Sequence, residues 1–424
     1  MYSHLYAAVS TGIDDWKSMP TLIYLYYNSW NRRGLLHGDI ADTYISLGRG
    51  YGTLDLKNLE LAKQLRHELH QHPEISNEEV WTKQHLINFL KKHTNLQIVD
   101  RGRWFYAIYR AGEDKKNIAY RADFDALPMP EVIDVPHASK NPGVSHKCGH
   151  DGHAASLAGF ALEVDQQGAD KNIFFLFQHA EETGEGAIQC ATFIEEHNIE
   201  EIFAFHNMSG MAFNAINVID GTAHCASRGM TIHMEGSPAH ASQPENGVNP
   251  SFAIAKIIDA IPELTSPENN EGLVLCTVVQ VNIGERAFGL AASKGDLLLT
   301  IRALYEAELD NLQKNLEDLA REQADQYGLK ISFSFNDEFP ETVNHKESSD
   351  KIRKVSQEKG FQLVEMKEAF RASEDFGHYT KLTKGAMCYI GNGENYPHIH
   401  TYEYDFRDEI IETAVELFKG LAEL

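Results

Sequence analysis

From residue 55 onward the chain alternates between runs whose apolar positions recur every three or four residues and shorter runs that are apolar throughout. Leu56, Leu59, Leu65 and Leu69 fall on one helical face, and Pro73 stops the run. Ser76 followed by Glu79 has the spacing of a capping box, which predicts a second helix carrying Val80, Leu86 and Leu90. Strand-like segments follow at 104–109 and 117–121. A helix at 151–164, an apolar strand at 172–177 (NIFFLF), a helix reaching about His197 and a short strand at 201–205 complete the first half. Strands alternating with helices predict an α/β body built on a mostly parallel sheet with helices on both faces.

Near Ala226 the pattern changes. Residues 230–234 are strand-like, 250–261 helical, 274–281 and 296–302 strand-like, 305–327 a long amphipathic helix and 331–335 a last strand. This β-α-β-β-α-β order predicts an inserted ferredoxin-like α+β unit. Beyond it come a helix near Asp350, a strand at 387–390 and a closing helix at 408–421. The expected organisation is an N-terminal extension (1–53), the body in two parts (54–225 and 337–424) and the insert (226–336). The extension is rich in tyrosine and ends in glycines 48, 50 and 52; its aromatic content predicts an ordered segment packed on the main body, with no role evident.

Composition narrows the function classes. Apolar content of 42% and charged content of 24% are ordinary for a globular protein, and 424 residues exceed one core. A formal charge of -24 disfavours nucleic-acid backbones and anionic membrane surfaces, so neither is an expected partner. Five scattered cysteines do not suggest a disulfide framework and fit a reducing compartment. No apolar run reaches the ~20 residues of a membrane span, and the N-terminus lacks the marks of an export signal; cytoplasm is the expected location.

The candidate chemistry centres on SHKCGHDGH, which offers Cys148, His150, Asp151 and His153 within six positions. Thiolate, imidazole and carboxylate are transition-metal ligands, and glycines 149 and 152 let the backbone turn around a centre. Asp123, Asp125 and Glu131 cluster after a strand, where sites form in open α/β sheets. Glu182, His206 and His400 also lie at or beyond predicted strand ends or near the C-terminus, all in the body and none in the insert. Glu181 and Glu182 leave a strand as a pair. One can bind metal while its neighbour holds a water, whose pKa a metal lowers towards ~7.

These segments carry a resemblance. LRHELHQHPEIS, RADFDALPMPE, SHKCGHDGH, FQHAEETGEGA, GSPAHASQPENGVNP and SEDFGHY resemble, in order, six motifs of the metallopeptidase family of hippurate hydrolases, aminoacylases and auxin-conjugate amidohydrolases. The likeness extends from about Leu54 to the end. It implies Cys148, His150, Glu182, His206 and His400 as ligands of one or two divalent metals, zinc or manganese first and cobalt or nickel as relatives allow. It further implies Glu181 as general base and Asp125 as a carboxylate orienting a ligand, a part Asp151 could share. His240, in the insert, would stabilise the oxyanion, and Arg302 would bind a substrate carboxylate.

The implied activity is hydrolysis of an amide in N-acyl amino acids or short peptides by a metal-activated water. The insert would serve as a lid and as the contact of a homodimer. A dipeptidase or carboxypeptidase-type metallopeptidase is the alternative, as is a non-catalytic family member that binds metal and ligand. Three segments depart from the pattern: His179 stands where proline is common, HNMSG lacks a proline after its histidine, and NIGERAFGLAASKGD lacks an asparagine-isoleucine-proline segment. The ligand set is untouched, so the acyl and amino-acid preference is what these changes affect.

Overall fold

A computed structural model describes residues 54–424; the expected N-terminal extension lies outside the described residues. Asp55 accepts a hydrogen bond from the Lys57 amide at 2.8 Å and so opens helix α1 (Leu56–Gln71), which buries Leu59, Ala62, Leu65 and Leu69. Helix α2 (Val80–His93) begins differently from the capping-box expectation. The Glu74 carboxylate accepts from the amides of Trp81 and Thr82 at 3.1 and 2.8 Å, and so caps the helix from outside its first turn. Ser76 and Glu79 are drawn elsewhere: Ser76 Oγ donates to Asp125 and Glu79 accepts from the Ala180 amide.

The body continues through β1 (Gln97–Asp100), β2 (Phe105–Tyr109), β3 (Asn117–Asp123), α3 (His150–Gln167), β4 (Asn172–Gln178), α4 (Gly186–Cys190) and α5 (Thr192–Glu196). Strands β5 (Glu201–Ser209), β6 (Ile216–Val218) and β7 (Gly221–His224) follow. The chain then leaves the body through β8 (Ala226–Glu235), β9 (Ala239–His240), α6 (Ser251–Leu264), β10 (Val274–Ile283), β11 (Leu290–Ala291), β12 (Lys294–Ala303), α7 (Glu306–Tyr327) and β13 (Lys330–Phe339). It returns by β14 (Thr342–Asn344), α8 (Lys346–Lys359), β15 (Leu363–Glu365), α9 (Gly377–Thr380), β16 (Lys384–Gly393) and α10 (Glu409–Glu423).

The eight strands of the body sheet are ordered β1-β2-β4-β3-β5-β16-β6-β15. Its centre, β4-β3-β5-β16, is parallel throughout, and β2 and β6 flank it antiparallel. A parallel centre must be covered on both faces. Helices α1, α2, α3, α8 and α10 fill one side, with Phe160, Phe175, Phe203 and Phe418 among the contacts, while α4, α5 and α9 cover the other around Phe174, Phe193 and Tyr379. Every residue of β4 is buried, as its unbroken apolar run requires.

The insert is a second, antiparallel sheet ordered β10-β12-β8-β13, with α6 and α7 on one face. In chain order β8-α6-β10-β12-α7-β13 this is the ferredoxin-like arrangement. Its strands alternate as a one-sided sheet should: Met230, Ile232 and Met234 of β8 are buried against the helices. Arg302 of β12 ties the insert to the body, donating through Nη1 to the Arg371 carbonyl and Ser373 Oγ, both at 2.6 Å.

Candidate metal centre

Parallel strands deliver their loops to one edge of a sheet, and here that edge gathers the ligand-type side chains. β3 ends at Asp123, with Asp125 two residues on; β4 leads into Glu181 and Glu182; α3 starts at His150. His206 lies inside β5, which runs four residues past the predicted strand end at 205. His400 arrives from the far side, on the segment between β16 and α10, with φ +61°.

His150 Nδ1 lies 3.0 Å from Asp125 Oδ1, so its Nε2 faces Glu181 Oε2 (3.8 Å), Glu182 Oε1 (3.9 Å) and Asp123 Oδ2 (3.9 Å). That buried Nε2 has no hydrogen-bond partner among the described residues, and neither has Glu182 Oε1. His206 Nδ1 is 2.6 Å from the Asn207 carbonyl, which turns Nε2 to within 3.4 Å of Cys148 Sγ. His400 Nε2 lies 3.4 Å from Glu182 Oε1. Three overlapping groups result, Cys148–His150–His206, Cys148–Glu182–His400 and His150–Glu181–Glu182, each with donor atoms within 4.8 Å of one another.

Buried polar atoms are normally paired, so two unpartnered atoms facing one another across a cage of sulfur, nitrogen and oxygen donors fit the chemistry of a bound divalent cation. Electrostatics points the same way. The nearby Cys148 sulfur and Glu182 carboxylate push His400 up to about 11. Burial works against a charged His150, yet Asp123 and the Cys148 sulfur outweigh it and hold this imidazole well above its ordinary value. Burial and the neighbouring Glu374 and Glu182 carboxylates hold Glu181 well above the ordinary carboxylate range. His206 goes the other way, held well below its ordinary value by burial and the neighbouring His153. Around His150, His400 and Glu181 the cage is short of positive charge, and a divalent cation relieves that deficit.

Asp125 sits behind His150, with Oδ2 accepting from Ser76 Oγ at 2.7 Å and from the Glu182 amide at 3.0 Å. Asp151 does not join it as an orienting group. One helical residue on from His150 it faces away, bonded to Arg66 Nε and His70 Nδ1, both at 2.8 Å. His240 and Arg302 are not brought to the cage. His240 is exposed on β9 beside Ser242 Oγ, at 2.7 Å, and Arg302 is engaged at the seam with residues 371–373.

Several buried groups around the cage carry no role from sequence. Arg121 bonds Asp123, Gln178 and Asp375, and Glu374 and Asp375 come within reach of Glu181. A two-residue spacing on a strand puts Arg121 and Asp123 on one face, which is the signal the sequence did hold. His153 is held between Asp123 Oδ1 and Asn207 Oδ1 at 2.6 Å each, so both its nitrogens are committed. His179 is buried with Nε2 at 3.2 Å from Gln189 Oε1.

The profile of peptidase family M20/M25/M40 matches residues 119–424. A hippurate hydrolase of Campylobacter jejuni is 28% identical over 370 residues, covering 85% of this chain and 95% of that one. An N-acetyl-L-cysteine deacetylase of Bacillus subtilis is 28% identical over 373 residues, covering 86% and 89%. Among solved structures, a dinuclear metal binding peptidase of the M20 family from Bacillus subtilis superposes with a TM-score of 0.74 at 24% identity, covering 87% of this chain and 98% of that one.

Proposed function

The chain belongs to peptidase family M20/M25/M40 and is a metal-dependent amidohydrolase; from that premise we propose that it cleaves the amide bond of N-acyl amino acids, with Glu181 as general base. A divalent ion, zinc or manganese before cobalt or nickel, held by Cys148, His150, Glu182, His206 and His400 would polarise the carbonyl and acidify a water. The observation that carries the reading is the buried Nε2 of His150, without a hydrogen-bond partner among the described residues and aimed between Glu181 and Glu182. Glu181 takes the proton of the attacking water as the new C–O bond forms. It returns that proton to the amine nitrogen as the C–N bond breaks.

The substrate class draws on the relatives. Hippurate and N-acetyl-L-cysteine, named for the Campylobacter and Bacillus enzymes, are both N-acylated amino acids. His240 is assigned to the oxyanion and Arg302 to a substrate carboxylate, the latter after release from Arg371 and Ser373. His240 would reach the carbonyl by closure of the insert over the body or from a second copy of the chain. A homodimer through the insert is supported by β10, an edge strand that exposes Val278, Val279 and Val281. The five free cysteines favour a reducing compartment such as the cytoplasm, and no described helix is long and apolar enough to cross a membrane.

The test is Glu181→Gln assayed beside the wild type on N-acetyl amino acids, N-benzoyl amino acids and dipeptides. Metal content should be retained while turnover falls at least about a hundredfold. A variant with wild-type turnover removes Glu181 as the base. Cleavage of dipeptides without N-acyl amino acids would favour the dipeptidase alternative.

A further inference from the structure

The three chain segments that bring Cys148, His206 and His400 together meet at one side chain that binds no metal. Tyr404 is fully buried, four residues beyond His400. Its Oη accepts a hydrogen bond from Asn207 Nδ2 at 2.6 Å, and Asn207 is the residue whose carbonyl fixes the His206 ring. Its carbonyl accepts from Lys147 Nζ at 2.8 Å, and the carbonyl of Lys147, next to Cys148, accepts from the His400 amide at 2.7 Å. Gly149 closes the circuit. With φ +107° it passes so near that a Cβ there would lie 2.7 Å from Tyr404 Oη and 2.3 Å from Asn207 Oδ1. The phenol therefore occupies the space a side chain at 149 would need, between the two ligands Cys148 and His150.

We infer that Tyr404 is a positioning residue: its Oη and its carbonyl register the Cys148 loop, the His206 strand and the His400 segment to one another. The inference rests on the metal reading of the cage. His400 has particular need of it, because a left-handed, half-exposed histidine has little else to hold it: its amide on Lys147 and the Lys147 ammonium on Tyr404 are the ties that set its approach. Outer partners of this kind govern how well preformed a metal cage is.

Tyr404→Phe keeps the ring and deletes the acceptor. The probe is cobalt(II) alone, titrated into metal-free protein and followed by its thiolate charge-transfer and ligand-field bands. Tyr404→Phe should weaken cobalt binding about 10- to 100-fold and shift the ligand-field bands. Tyr120→Phe, which removes a buried hydroxyl that bonds to nothing among the described residues, should do neither. An affinity and spectrum equal to wild type in Tyr404→Phe overturn the inference. If wild type itself shows no thiolate band, the metal reading fails instead, which keeps the two failures distinct. Should Tyr404→Phe not fold, Asn207→Ala removes the same hydrogen bond together with the one between Asn207 and His153. Wild-type affinity and spectrum there overturn the inference, and a loss larger than that of His153→Ala supports it.

Discussion

A neutral histidine has one bare nitrogen, and a hydrogen bond to the other decides which one faces a cation; the cage uses two kinds of partner for this. His206 relies on a backbone carbonyl, that of Asn207, which no side-chain substitution at 207 removes. His150 relies on Asp125, whose Oδ1 stands 3.0 Å from Nδ1 and whose carbonyl stands 3.1 Å away. Asp125→Ala should therefore weaken metal binding about 10- to 100-fold, measured by competition with a chelator of known affinity. An unchanged affinity would mean that the carbonyl alone orients the ring. At this scale the donors were legible because sulfur, imidazole and carboxylate at strand ends are conspicuous in sequence. Their supports were not: Asn207 and Tyr404 are 197 positions apart, and no local pattern links them.

Elements were legible where one face is plainly apolar and obscure where the site borrows their ends. The unbroken apolar run that made β4 a buried strand survives in the structure, as does the order of the insert. The start of α2 did not follow the local rule, because Ser76 and Glu79 satisfy groups around the cage while Glu74 supplies the cap. β5 likewise continues through His206, since pairing with β16 at Tyr389 and beyond keeps the backbone extended where the apolar run has already ended. Glu74→Ala should cost about 1 kcal/mol, the usual loss for a helix cap, in chemical denaturation. Ser76→Ala should leave α2 intact, because that hydroxyl serves Asp125. Equal destabilisation by the two would restore the capping-box assignment.

For the whole molecule, acid is the informative perturbation, because body and insert are joined across a seam that contains a buried histidine. His224, at the end of β7, is 3% exposed, with Nδ1 at 3.3 Å from the Ala372 carbonyl and its ring against Phe370 and Tyr389. Burial lowers its pKa from 6.5 to about 4 despite that carbonyl. The native state thus keeps His224 neutral while an unfolded chain takes up the proton, so stability is complete above pH 6.5 and declines as pH falls towards 4. The full loss is on the order of 3 kcal/mol. A second decline belongs to Glu131: burial would raise its pKa, but hydrogen bonds from His70 and Lys147 prevail and bring it from 4.5 to about 2. Its contribution is present above pH 4.5 and vanishes as pH drops to 2. Other ionisable groups also change protonation as acid is added, so the decisive measurement is a difference. Unfolding free energies of wild type and His224→Gln, taken by denaturant titration from pH 7 to pH 4, should diverge in slope by about one proton within the upper window. Parallel slopes would mean that water reaches His224 in the native protein and that the seam opens without unfolding.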